Sequence, residues 1–341
     1  MRQENVRRII SIAAVAVMVI IFSVTTGGAY LAPSNLLKIF RECGVIGIIS
    51  AGVAMVIITA GIDLSTGALV GFCGMFSNYL LYMFGLPGIV IIPVSLLLGA
   101  LCGALNGFIV TKLRVPEFVG TLSTQYLFRS MVFVFAIREQ GVIVNKRIKD
   151  DLITGMGEGI GGVYFVSIAF VIVVIIGQII LKKTRFGTYI YATGANRKSA
   201  ELSGVPVEKI RFAVHVITGL LCGFACLFSM GRIGSVTTDF GTGLEFSIIS
   251  AVVIGGCAFS GGRGDCVGAA IGTLFMACLQ NGILKYNIPP ALQLVIRGTV
   301  IVVMIIFDSV YNKHLQKNVI RRAREREENM MTGVTGNGSA A

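Results

Sequence analysis

The chain contains no tryptophan, only two histidines and only 13% charged residues. With 55% hydrophobic residues and a mean hydropathy of +0.83, that scarcity of charge excludes a soluble globular domain, which carries about 25% charged residues. The missing Trp leaves Tyr and Phe to mark a membrane interface, and Tyr79, Tyr82, Tyr126, Tyr164, Tyr286 and Tyr311 fall near proposed span ends. His215 and His314 share no ligand spacing with the eight cysteines, which lie almost wholly in apolar runs and read as packing residues rather than metal ligands or disulfides. The phosphate loop G-x-x-x-x-G-K-[ST] is lacking, as are H-E-x-x-H and G-x-S-x-G. Neither a catalytic residue nor a cofactor or metal is expected, and the chain is not expected to hydrolyse ATP by itself. A lone G-x-G-x-x-G at Gly157, Gly159 and Gly162 has no strand before it and reads as chance in a glycine-rich chain.

What the sequence has is apolar runs. A span of about 30 Å of hydrocarbon takes roughly 20 residues, and runs of that size fall near 9–27, 44–60, 67–84, 88–111, 118–137, 163–181, 211–229, 245–261, 266–284 and 291–309. The expected fold is all-α, a polytopic helical membrane bundle of about ten transmembrane helices with interrupted or re-entrant segments. The first run follows Arg7 and Arg8 without a cleavage site and is read as an uncleaved span. A transmembrane domain would occupy 1–312, and a charged tail 313–341, its end disordered in composition. With the N-terminus inside, the inner segments carry 3, 2, 7, 1 and 6 of the 29 Lys and Arg, and the outer segments carry 8. The net charge of +12 is thus a topology signal that places both termini in the cytoplasm, and nucleic acid is not an expected partner.

The 43 glycines have two patterns. Gly99, Gly103 and Gly107 recur every four residues, as do Gly219 with Gly223 and Gly268 with Gly272, the spacing that lets helices approach closely in lipid. Two other clusters, 59–67 and 255–264, interrupt apolar segments with polar residues and look like corresponding parts of a duplicated half. Broken backbone at membrane depth is tolerated where it is buried or lines a wet cavity, so the pair points to a transport site.

Intramembrane polar residues are costly and functional by default. Asp63 leads them; with Ser65 it is either a helix cap for the segment from Thr66 or a pathway residue. Asn106, Gln125, Glu245, Asn281 and Gln293 are further candidates, Asn106 reading first as a helix-to-helix hydrogen bond. Arg129 and Arg297 can pair with Asp63, Glu117 or Asp308. Between the apolar runs lies one long basic segment, 182–211, which offers a soluble partner something to grip. In it Asn196 can cap a helix from Arg197 to Ser203, with Gly194 and Gly204 at its bounding turns.

Taken together, several stretches resemble one family: Ala60-Gly-Ile-Asp-Leu-Ser65 with Gly67, Ala104-Leu-Asn-Gly-Phe-Ile-Val110, Val115-Pro-Glu-Phe118, Thr184-Arg-Phe-Gly-Thr-Tyr-Ile-Tyr-Ala-Thr-Gly194, Leu202-Ser-Gly-Val-Pro-Val207, Ala251-Val-Val-Ile-Gly-Gly256 and Gly261-Gly-Arg-Gly264. In that order over about 40–310 the sequence is similar to permease subunits of bacterial ribose-type ABC importers, the binding-protein-dependent group that includes xylose, galactoside and autoinducer-2 permeases. Thr188, Ala195, Ser130 and Ala270 depart from the pattern. The resemblance implies a bacterial plasma-membrane importer of a small sugar or sugar-like solute, with an ABC ATP-binding subunit, a second permease subunit and an extracytoplasmic solute-binding protein as partners. It implies ATPase coupling through Tyr189, Gly194, Asn196, Ser199, Leu202 and Gly204. Membrane lipid is the expected contact of the basic tail. The alternative is an ion-coupled secondary transporter using Asp63 or Glu117.

Overall fold

The computed structural model describes residues 2–286 and, beyond them, isolated positions between 288 and 303. The chain divides into Met1–Asn287 and Ile288–Ala341. In the second unit the described positions from 292 to 303 are helical. Asp308, Arg297 and the basic tail lie outside the described residues.

The first unit is a helical bundle. Its elements are α1 (Arg2–Thr25), a short 3-10 turn (Ala29–Leu31), α2 (Pro33–Ile58), α3 (Thr66–Met83), α4 (Gly88–Thr111), α5 (Glu117–Val134), the hairpin β1–β2 (Arg138–Glu139, Val142–Ile143), α6 (Asp151–Met156), the hairpin β3–β4 (Gly159–Ile160, Val163–Tyr164), α7 (Phe165–Lys183), α8 (Arg185–Ala195), α9 (Arg197–Leu202), α10 (Val207–Ile233), α11 (Leu244–Ile254) and α12 (Cys266–Lys285). Six described helices are long and apolar enough to cross a membrane: α1, α2, α4, α7, α10 and α12. Helices α3 and α5 have 18 residues each, and α11 has 11, so the run expected at 245–261 is a short helix followed by irregular backbone. The run expected to open at 44 begins at Pro33 instead, because proline at the first helical position supplies the right φ and loses no hydrogen bond.

Helix α2 is the centre. Every residue from Ile46 to Ile58 is buried, and 89% of the apolar 18-residue stretch of α2 is buried, against 6% of that of α1. The glycine rows explain how α4 and α10 meet. A Cβ at Gly99 would lie 2.3 Å from the Gly219 carbonyl oxygen, one at Gly103 2.3 Å from that of His215, and one at Gly219 2.2 Å from that of Gly99. Ser95 closes the seam by donating to the Gly223 carbonyl at 2.8 Å. Without water to drive apolar association, backbone approach of this kind supplies the contact. In the same way a Cβ at Gly272 would meet the Ala251 carbonyl at 1.8 Å, locking α12 to α11. The G-x-G-x-x-G stretch is a hairpin: Gly161 and Gly162, with φ of 61° and 85°, form the two-residue turn between β3 and β4.

Candidate functional site

Both interrupted runs are irregular backbone. Helix α2 ends because Ala60 takes φ of 63°, the Ala60 N–H reaches the Ile57 carbonyl at 2.9 Å and the Gly61 N–H reaches Val56 at 3.0 Å, the paired bonds of a Schellman ending. Alanine in the left-handed region costs roughly 1–2 kcal/mol, and a neighbouring structure has to hold it there. From there 61–65 runs without helical bonds, and side chains of α5 replace them. Glu117 Oε2 accepts from the Ile62 N–H at 2.9 Å, and Thr121 Oγ1 accepts from the Leu64 N–H at 3.3 Å and donates to the Ile62 carbonyl at 3.2 Å. Such substitution is what unpaired backbone inside a membrane bundle requires.

Asp63 sits in this segment with 1% of its surface exposed. Its Oδ1 accepts from the Ser65 N–H at 2.9 Å and from the Ser65 hydroxyl at 2.7 Å, while its Oδ2 lies 3.3 Å from His215 Nδ1. A carboxylate only accepts, so Nδ1 is the donor. Asn106 Nδ2 donates to Ser65 Oγ at 2.7 Å, tying α4 to the same point. On the far side of the imidazole, Nε2 stands 4.0 Å from Glu117 Oε2, and Arg211 donates to Glu117 Oε1 from Nε at 3.0 Å and from Nη2 at 2.5 Å. The row Arg211, Glu117, His215, Asp63, Ser65, Asn106 therefore joins α10, α5, the broken segment and α4.

Neither Asp63 nor Ser65 caps α3; the Ser65 side chain makes no capping bond. Asp63 instead turns back on Ser65 N–H, because His215 and Asn106 hold the carboxylate and the hydroxyl inward. Arg129 does not pair with Asp63 or Glu117 either. Its Nη1 donates to the Phe240 carbonyl at 2.9 Å. Gln125 and Glu245 do meet, Gln125 Nε2 donating to Glu245 Oε1 at 3.3 Å. The second oxygen, Oε2, has no hydrogen-bond partner among the described residues, and a Cβ on Gly67 would lie 1.9 Å from it. Gly67 follows the broken segment by two residues, so this pair borders the Asp63 row. Asn281 belongs elsewhere: its Oδ1 accepts from Asn35 Nδ2 at 3.1 Å, beside Tyr30, whose hydroxyl donates to the Cys278 carbonyl at 2.7 Å. Gln293 lies in the second unit, where its Nε2 donates to the Ile288 carbonyl at 2.8 Å.

Segment 255–265 is built differently. Gly256, Gly261, Gly262 and Gly264 all have positive φ, and backbone closes the turn through the Ala258 N–H to Arg263 carbonyl bond at 3.2 Å. The two segments touch: the Gly262 N–H donates to the Ile58 carbonyl at 2.8 Å. Helix α8 lies against both. A Cβ on Gly194 would sit 1.7 Å from the Ile58 carbonyl oxygen and 2.6 Å from Gly262 N, and the Tyr191 hydroxyl donates to the Gly264 carbonyl at 2.7 Å. Gly194 is thus a helical contact residue, not the bounding turn of α9, because α8 has to press its backbone onto the two breaks.

Beyond it Asn196 Oδ1 accepts from the Ser199 N–H at 3.0 Å and caps α9, and Gly204 follows with φ of 82°. Ser199 is exposed, Tyr189 is partly buried, and Leu202 is 90% exposed. Glu117 already stood out as a carboxylate for an arginine or an ion, whereas His215 and Arg211 are the site residues that a search for metal spacing passes over. Their signal was positional: Arg211, His215, Gly219 and Gly223 recur every four residues on the α10 face that meets α4.

The model of the branched-chain amino acid transport system / permease component family matches residues 35–305. A ribose import permease protein of Escherichia coli (strain K12) is 33% identical over 306 residues, covering 88% of this chain and 92% of that protein. A fructose import permease protein of Rhizobium meliloti is 30% identical over 312 residues, 88% and 86% of the two chains. A xylose transport system permease protein of Haemophilus influenzae is 27% identical over 372 residues, 92% and 99% of the two. No solved structure matches the chain.

Proposed function

The chain belongs to the branched-chain amino acid transport system / permease component family, and on that footing we propose that it is the membrane-spanning permease subunit of an ABC importer for a small sugar. It is a multi-pass membrane protein and a transport component rather than an enzyme; ATP is hydrolysed on a separate subunit. The named relatives are permeases for ribose, fructose and xylose, which sets the substrate class. In this reading about ten helices cross the plasma membrane and both termini are cytoplasmic. A second permease subunit completes the pore, and an extracytoplasmic binding protein delivers the solute.

One contact carries the mechanism: Gly194 of α8 against the Ile58 carbonyl, where the first broken segment begins, and against Gly262 in the second. The exposed surface of α9 with Ser199 and Leu202, bounded by Asn196 and Gly204 and backed by Tyr189, receives the ATPase. When the ATPase closes, α8 moves with α9 and shifts 59–65 and 255–265 together. The buried row from Arg211 to Asn106 then registers the shift on α4, α5 and α10, changing which end of the bundle is open. Asp63, Ser65, Asn106, Gln125 and Glu245 offer hydroxyl-binding groups along that route. Asn281 and Gln293 are retained as further path candidates from their polarity alone.

Reconstitution tests this. With the neighbouring ATPase and binding protein in vesicles, uptake of one pentose or hexose from a panel is expected to require ATP. Uptake that collapses with an uncoupler at constant ATP would instead establish the ion-coupled reading. Labelling of Ser199→Cys by an impermeant reagent is expected from the cytoplasmic side only.

A further inference from the structure

At the end of the bundle away from α8 and α9, helices α6, α7 and α10 leave a groove of about 570 Å³. Its walls are apolar: Ile168 and Ile172 from α7, Phe224 and Phe228 from α10, and Leu152 and Met156 from α6. The two phenyl rings stack edge to face with centroids 5.0 Å apart. Ile168 and Ile172 are 43% and 50% exposed, on a helix whose mean hydropathy of 2.6 is the highest of the six spans, so this face meets hydrocarbon.

Two carboxylates, Asp151 and Glu158, line the same groove. Neither side chain forms a hydrogen bond or ion pair with a described residue. Asp151 is not needed as the α6 cap, since Asp150 Oδ1 already accepts from the Ile153 N–H at 3.0 Å. Next to Glu158, Arg41 donates to the Gly157 carbonyl at 2.9 Å and stacks over the Tyr164 ring at 4.2 Å, bringing a cation behind the acidic rim. The volume falls within the roughly 300–1,000 Å³ of small-molecule sites.

We infer that this groove holds one phospholipid acyl chain, with the ammonium of an ethanolamine headgroup between Asp151 and Glu158. Charge decides the lipid. An anionic headgroup would face two carboxylates, neither of them ion-paired with a described residue, and a choline headgroup has no N–H to donate to them. The apolar walls take the chain, and the carboxylates select the headgroup.

The test is native mass spectrometry of the full chain, titrated with phosphatidylethanolamine, phosphatidylglycerol and phosphatidylcholine of equal acyl length. Phosphatidylethanolamine is expected to be retained about fivefold or more over the other two, as surface ion pairs supply. Asp151→Asn with Glu158→Gln should keep the adducts and lose the preference. Ile172→Trp, or independently Ala169→Phe, should fill the groove and lose adducts of all three lipids, with monodisperse elution and an unchanged thermal midpoint. Equal retention of the three lipids by the natural chain overturns the proposal. So does full retention by both filled variants, or disulfide cross-linking of Ile172→Cys between copies, which would put a second chain in the groove.

Discussion

The two broken segments lie side by side and solve one problem by opposite means. In 59–65 side chains of α5 hold the backbone while Asn106 of α4 and His215 of α10 hold the Ser65 and Asp63 side chains, and four of the groups in the row can carry charge. In 255–265 glycine backbone folds on itself, and its link to the first segment is the Gly262 to Ile58 hydrogen bond. The first segment is therefore vulnerable to removal of a group, and the second to addition of one. A moving part built from such a pair combines an anchored half with a compliant one. The glycine turns have fewer side-chain bonds to break, namely the Tyr191 hydroxyl on the Gly264 carbonyl and the Arg8–Asp265 pair at their end, whereas the Asp63 row has to stay paired or leave a charge buried.

Addition at the junction is expected to have the largest effect. Gly194→Val drives a side chain into the Ile58 carbonyl, where even a Cβ would stand at 1.7 Å. Overpacking costs about 1–3 kcal/mol where neighbours can yield, and a backbone oxygen yields less than a side chain. ATP-driven uptake in vesicles should fall below detection, with the chain still inserted by protease mapping. Uptake near the natural rate would remove α8 from the mechanism.

Removal in the anchored half comes next. Glu117→Ala takes the hydrogen-bonded carboxylate from Arg211, whose side chain is 13% exposed and which keeps only Glu208 Oε2 at 3.7 Å, and takes the acceptor from the Ile62 N–H. Breaking a buried pair by removing one member costs about 3–5 kcal/mol. A thermal midpoint measured in detergent should drop by several degrees, and Arg211→Ala added to Glu117→Ala should restore part of it. Additive losses in the double-mutant cycle would mean that the pair is not coupled.

A milder change sharpens the contrast. Asp63→Asn keeps an oxygen for the Ser65 N–H and hydroxyl and removes the charge facing His215. Transport is expected to fall partially, about 10- to 150-fold for the roughly 1.5–3 kcal/mol of one hydrogen bond to a charged group. It should remain ATP-dependent without any proton or sodium requirement. Complete loss of a gradient-driven uptake would assign Asp63 to an ion site instead.

The smallest structural effects are expected on the surface helix. Gly204 has open space around it and a φ of 82°, so Gly204→Val strains the backbone without a clash, at roughly 1–2 kcal/mol. Hydrolysis by the ATPase should persist while uptake drops, and Gly204→Asn, which tolerates this region, should recover it. Leu202→Ala should leave the thermal midpoint unchanged and weaken co-purification of the ATPase several-fold.

Much of this was legible because it is local. The cap at Asn196, the left-handed Gly204 and the small-residue rows depend on spacing within one helix or turn, and the polar interruptions stand out against apolar runs. Other features were not. Ala60 at positive φ, the inward turn of Asp63 and the carbonyl contact of Arg129 each depend on a residue far away in sequence. His215 was discounted for lacking metal-ligand spacing, although its place on the glycine face of α10 already pointed at α4.

Composition and periodicity by themselves determined that this chain is a membrane-embedded helical bundle with two interrupted runs and a basic segment between spans. Hydrocarbon admits few backbone solutions, and apolar length reports them directly. Only the tertiary structure decided that the two interruptions touch and that α8 presses a glycine onto both. It likewise decided that Asp63 answers to His215 rather than to an arginine. Those outcomes follow from how closely α4 packs on α10 and how α5 crosses the broken segment, and such distances are set by all the helices at once.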